Sequence, residues 1–172
     1  MTTVDELAGD LVALRRRVEA CESVLAIQSL KANYGELVDR RFSRGVVVDA
    51  PVLIQVADAV AALFTPDGVW DGGTGLGTAQ GRPAIAERLR ETTLTFSRHF
   101  FMNPRIVVDG AEATGRWDLL SPCRRPDGSS YWMAGYEDDA YARVDGKWLH
   151  RSMKLTTVFM TRVGEGWTKV FV

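Results

Sequence analysis

Apolar residues recur at Leu7, Leu11, Leu14, Val18, Cys21 and Leu25, in alternating steps of four and three. That spacing lines one face of an amphipathic helix and is heptad-like. It suits packing on another helix, including one from a second subunit, and equally packing on the chain's own sheet. Cys21 falls in the stripe and is expected in a core. The pattern continues through Ile27, Leu30, Tyr34 and Leu37, which gives Tyr34 an inward position. Residues 45–62 are apolar and poor in glycine, and Asp49-Ala50-Pro51 reads as an N-cap followed by a helix start, predicting a helix over Pro51–Leu63. The next segment is dense in turn residues, with a short strand around Val69–Trp70. Its Gly73, Gly75 and Gly77 follow GxGxG, not the dinucleotide-binding GxGxxG, and read as a hairpin or mobile loop. "GRPAIAERLRETTLTF" predicts a further helix with Pro83 in its first turn.

From His99 the period changes to two. "HFFMNPRIVVDG", "AEATGRWDLLSP", "SSYWMAGYEDDAYARVDG" and "KWLHRSMKLTTVFMT" predict four strands, joined at Asp109-Gly110, Pro126-Asp127-Gly128 and Asp145-Gly146. Asp-Gly between alternating segments is a hairpin signal. Helices first and an antiparallel meander second make an α+β layout, with helices covering one face of a curved sheet.

The 172 residues suffice for one domain with a real core, so 1–172 is read as a single domain. A formal net charge of -1 with no basic stripe argues against nucleic acid as a partner. "RRR" at 15–17 sits among acidic neighbours and reads as a solvated face. No apolar run approaches a membrane span, and the acidic start "MTTVDELAGD" lacks the pattern of a signal peptide. A cytoplasmic protein with free thiols is expected, and Cys21 and Cys123 form no zinc-binding spacing.

Candidate chemistry starts with Tyr34 and Asp39, five apart at the end of the long helix, and with the chain's two histidines. His99 opens the first long strand and alternates with Phe101 and Asn103. A histidine on such a face is commonly a core residue. His150, in "WLHRSMK", reads as structural. On an ideal helix Tyr34 and Asp39 point ~140° apart. They share a pocket only where the helix ends, bends or is embedded on both flanks.

The order "YGELVD", "GRPAIAERL", "RHFFMNPRIVVDGAEATGRWDLL", "YEDDAYARVDGKWLHRSMKL" resembles the SnoaL-like branch of the NTF2-like superfamily, close to its bile-acid 7α-dehydratase and scytalone dehydratase type enzymes. The resemblance implies a cone: a bent antiparallel sheet wrapped by N-terminal helices around an apolar pocket. It implies Tyr34, Asp39 and His99 as the catalytic set, with neither metal nor organic cofactor. A further acidic residue of that type falls on Ser121 here, and residues 41–62 are longer than the matching segment, so the bile-acid substrate is not carried over. Phe64, Trp70, Phe101, Asn103, Trp117, Trp132 and Tyr136 are the expected substrate contacts, each equally a candidate core or turn residue.

Residue chemistry agrees with that implication. Histidine titrates near neutral pH and serves as base or acid. An aspartate bonded to the ring fixes its tautomer, and a phenol in a dry pocket donates to a developing oxyanion. The expected function is a cofactor-independent lyase, a dehydratase acting on a small hydrophobic ring-bearing hydroxy or carbonyl compound. An isomerase, an aldol cyclase, a retro-aldol lyase, or a non-catalytic ligand-binding or assembly subunit are the alternatives. The expected assembly is a homo-oligomer, a trimer ahead of a dimer, with the first helix and the C-terminal "GWTKVFV" as candidate contacts.

Overall fold

The N-terminal apolar stripe forms one uninterrupted helix, α1 (Val4–Asp39). Thr3 opens it with a capping box: its hydroxyl accepts from the Glu6 amide, and its own amide donates to the Glu6 carboxylate. The computed structural model describes residues 3–164. The segment "GWTKVFV" therefore lies outside the described residues. Burial along α1 begins only at Ser23, and Leu7, Leu11, Leu14, Val18 and Leu25 are all exposed. Cys21 is exposed with them, contrary to the core position its spacing suggested. A periodic stripe fixes the face of a helix and not what covers it. Among the described residues, no helix is long and apolar enough to cross a membrane.

A short hairpin, β1 (Phe42–Ser43) and β2 (Val46–Val47), leads to α2 (Ala50–Ala61), which has Asp49 at its N-cap position and Pro51 in its first turn. β3 (Phe64–Asp71) and β4 (Thr78–Gln80) enclose the glycine-rich loop, and α3 (Arg82–Arg90) starts beside Pro83. The two-residue β5 (Phe96–Ser97) precedes the four long strands β6 (Phe100–Asp109), β7 (Glu112–Arg124), β8 (Ser130–Val144) and β9 (Lys147–Arg162). Asp109 pairs with Glu112 and Val144 with Lys147, so two-residue loops, Gly110-Ala111 and Asp145-Gly146, close both hairpins.

The strands form a seven-stranded sheet in the order β4-β3-β9-β8-β7-β5, with β6 also paired to β7. The sheet is mixed, because β3 runs parallel to β9, whereas its other pairs are antiparallel as expected. Register shifts at Ala134/Gly135 and Ala140/Tyr141 bend the long β8–β9 ladder. Gly135 is required there, since a Cβ would lie 2.2 Å from the Thr156 carbonyl oxygen.

The hollow of this sheet is filled by the C-terminal half of α1, flanked by α2 and α3. One apolar cluster joins Tyr34, Leu37 and Val38 to Val60, Phe64, Ile85 and Leu89. A second, around Ile27, Leu30, Trp117, Tyr141 and Trp148, closes the narrow end. The helices thus leave a cavity between the end of α1, α3 and the inner faces of β7, β8 and β9.

Candidate active site

α1 ends at Asp39 with Leu37, Val38 and Asp39 all buried, so the last turn is embedded on both flanks. This resolves the angular problem of a tyrosine and an acid five apart. Tyr34 faces the cavity, while Asp39 points to the loop between β5 and β6 and supports the cavity wall from behind. His99 sits in that loop, in the two-residue break between Ser97 and Phe100.

Asp39 grips His99 twice. Its Oδ1 lies 2.7 Å from the ring Nδ1, and its two oxygens accept from the His99 backbone amide at 3.1 and 3.2 Å. Arg98 adds an ion pair to Oδ2 at 3.3 Å. With Nδ1–H donated to the carboxylate, Nε2 is the basic nitrogen, and the ring lines the cavity. Phe101 stacks on its other side, centroids 6.0 Å apart.

The cavity has a volume of about 410 Å³, within the range of small-molecule sites. Its walls are largely apolar, with Val38, Trp70, Leu89, Leu119, Met153 and Leu155 among them. Polar side chains line it as well, Arg41, Arg88, Glu91, Ser97 and Arg125 among them. Tyr34 Oη accepts from Trp70 Nε1 at 3.0 Å, which leaves the phenol proton to donate elsewhere. Burial, with the nearby Glu137 carboxyl adding to it, holds the Tyr34 phenol well above its ordinary range, so it stays a neutral donor. Ser121 is buried on the β7 wall, where the resemblance implied an acid.

Of the expected substrate contacts, Trp70 lines the cavity. Phe64 and Phe101 stand one layer behind it, in contact with Tyr34. Trp117 is buried in the narrow-end cluster, its indole donating to Tyr141 Oη at 2.9 Å. Trp132 and Tyr136 face away from the cavity. Their β7 partners are Pro122 and Asp118, and period two places Leu119, Ser121 and Cys123 on the inner face instead. Tyr136 is covered by the Arg116 guanidinium, and Trp132 is 42% exposed. Asn103 leaves the face of His99 at the register shift between Met102 and Arg105. It takes a φ of 50° and donates to Asp118 outside the cone.

The inner face of β8 holds what sequence reasoning missed. Glu137, Asp139 and Tyr141 alternate inward and meet Lys31 of α1, which is fully buried. The ammonium bridges Glu137 Oε2 and Asp139 Oδ2, the latter at 2.7 Å. Burial alone would lower the Lys31 pKa, and the Glu137 and Asp139 side chains beside it more than offset that and raise it. Tyr141 donates to Asp139 Oδ2 at 2.6 Å, and His150 stands 3.8 Å from the same oxygen. Burial lowers the His150 pKa to about 3, with Lys31 acting in the same direction, so its ring is neutral. Glu137 alone of these polar groups reaches the cavity.

A family model described as "SnoaL-like domain" matches residues 19–154. Among curated proteins none matches. Among solved structures, a hexachlorocyclohexane dehydrochlorinase (LinA, type 2) superposes with a TM-score of 0.72 at 19% identity, over 87% of this chain and 95% of that one. A protein from Novosphingobium aromaticivorans, provisionally described as a scytalone dehydratase, gives 0.66 at 23% identity, over 82% and 87%. An NTF2-like protein with a cystatin-like fold from the same species gives 0.61 at 23% identity, over 98% and 95%. These likenesses establish the NTF2-like fold.

Proposed function

This chain belongs to the SnoaL-like family, and from that premise we propose that it is a cofactor-independent acid–base lyase of the cytoplasm. It acts as a dehydratase on a small hydrophobic compound that carries a ring, a hydroxyl and a carbonyl. The observation behind this is the Asp39–His99 pair, which presents a basic Nε2 to an apolar cavity beside the Tyr34 phenol. Nε2 takes the proton next to the carbonyl. The electron pair moves to the carbonyl oxygen, which accepts the Tyr34 proton as a hydrogen bond while charge develops. Collapse of the enolate breaks the bond to the hydroxyl one carbon further on and forms the double bond. Each such group contributes typically ~10²-fold or more.

The names of the structural neighbours, a dehydrochlorinase and a dehydratase, both denote eliminations from a carbon framework, which favours elimination over cyclisation or isomerisation on the same residues. The exposed α1 stripe supports self-association, for which we favour a homotrimer.

The test is conversion of a panel of ring-bearing β-hydroxy ketones, aromatic and steroid-like, by wild type and by folded His99→Gln and Tyr34→Phe variants, with product masses read. Loss of water by wild type and a ~10²-fold loss in both variants are expected. Folded variants that keep wild-type rates overturn the reading.

A further inference from the structure

Elimination of water needs an acid for the departing hydroxyl, and Asp39, His99 and Tyr34 are occupied with the proton and the enolate. We propose that Glu137 is that acid: a second acid–base residue on the cavity wall, which delivers its proton to the leaving oxygen and is positioned by Lys31 and Asp139. This rests on the dehydratase reading above.

The argument begins with charge. Lys31, Glu137 and Asp139 are all buried, and one ammonium between two carboxyls compensates one negative charge. A second uncompensated carboxylate in a dry interior is costly, so one carboxyl holds a proton. Hydrogen bonds decide which. Trp117 Nε1 is only a donor and gives its proton to Tyr141 Oη, so the tyrosine proton is directed onward to Asp139. Asp139 Oδ2 therefore accepts from Tyr141 and from Lys31. The anion settles on Asp139, and the proton falls to Glu137, whose contact among these groups is Lys31 alone. Burial, opposed by Lys31 and His99 and aided by Asp139, moves the Glu137 pKa up in the same sense.

Placement completes the case. Asp139 and Lys31 stand behind the wall, and Glu137 lines the cavity that also holds His99 and Tyr34. The neutral His150 on the far side of Asp139 supplies no competing charge. In the reaction the C–H proton passes to His99, the C–O bond breaks, and the leaving hydroxide takes the Glu137 proton as water. His99 then returns a proton to Glu137 through solvent, which restores both groups. Glu137 occupies β8, opposite Trp117, whereas the acid implied by the resemblance belonged at Ser121, opposite Met133. The cavity thus regains a carboxyl from another strand.

Glu137→Gln keeps shape and removes the acid. Two readouts test it. The first needs no substrate: the infrared C=O stretch of a protonated carboxyl, present at neutral pH in wild type and absent in E137Q, is expected to shift when cyclohexanol fills the cavity as a hydroxyl probe. The second compares two probes. One is the β-hydroxy ketone converted by wild type. The other is 5-nitrobenzisoxazole, whose ring opens on loss of one C–H proton and whose phenolate leaves without an acid. E137Q is expected to lose ~10²-fold on the hydroxy ketone and far less on the benzisoxazole, while His99→Gln loses heavily on both. Lack of the infrared band, or a hydroxy-ketone rate that E137Q leaves intact while His99→Gln abolishes it, overturns the role of Glu137. Rates that His99→Gln leaves intact overturn the parent reading instead.

Discussion

Replacing Lys31 by methionine keeps most of the side-chain volume and removes the one cation that Glu137 and Asp139 share. Breaking a buried pair by deleting one partner costs about 3–5 kcal/mol, because the remaining charge is left uncompensated. With a urea dependence of about 2 kcal/mol per molar, a cost of about 4 kcal/mol lowers the unfolding midpoint by about 2 M. The assay is urea unfolding of both proteins at pH 7. A midpoint drop below about 0.5 M refutes the shared-cation account.

His150→Phe probes the neighbouring ring. Burial holds His150 to a pKa of about 3, far below its unfolded value of about 6.5, so wild-type stability falls as pH drops through that interval. The variant should lack about 1.4 kcal/mol per pH unit of that slope between pH 6 and 4, and parallel curves would contradict it. Asp39→Asn keeps the size of the side chain that holds His99 but not its charge. We expect kcat to fall ~10²-fold or more with KM within a few-fold, measured on any compound that wild type converts. An unchanged kcat would remove Asp39 from the mechanism. For assembly, Leu14→Glu with Val18→Glu places charges in the exposed α1 stripe. Sedimentation should report a monomer with unchanged helicity, and an unchanged assembly mass would move the contact elsewhere.

The fold was legible because each of its parts leaves a local mark. Steps of three and four announce α1, Pro51 and Pro83 mark helix starts, and Asp-Gly pairs mark where the hairpins turn. The parallel β3–β9 pair left none, since nothing local specifies which strand lies beside a distant one. The placement of the candidate residues was legible where a motif carried them: Tyr34 and His99 line one cavity, and Asp39 stands behind it. It was misread where aromatic character stood in for parity. Trp132 and Tyr136 look like pocket walls, yet the alternation of β8 turns Met133, Gly135 and Glu137 inward. A register shift did the same to Asn103, by breaking the period of two that tied it to His99. The buried charges had a signal that aromatic reasoning passed over. Lys31 lies four after Ile27 and three before Tyr34, on the same helical face, and Glu137, Asp139 and Tyr141 share one strand parity. A lysine on an apolar stripe, with two acids alternating on an inward strand face, is the pattern of a buried ion cluster.

The bond from Trp70 to Tyr34 gives the chain an optical sense of its own cavity. Of the four tryptophans among the described residues, Trp70 lines the cavity, Trp117 and Trp148 are sealed in the narrow-end cluster, and Trp132 faces outward. A compound that enters changes the polarity around the Trp70 indole and disturbs its bond to the phenol, while the sealed pair keeps its surroundings. Replacing Trp132 by phenylalanine removes a solvent-facing emitter and sharpens that contrast. Titration of tryptophan emission then yields dissociation constants for compounds that are colourless and never turned over. A ligand catalogue becomes accessible before any reaction has been observed.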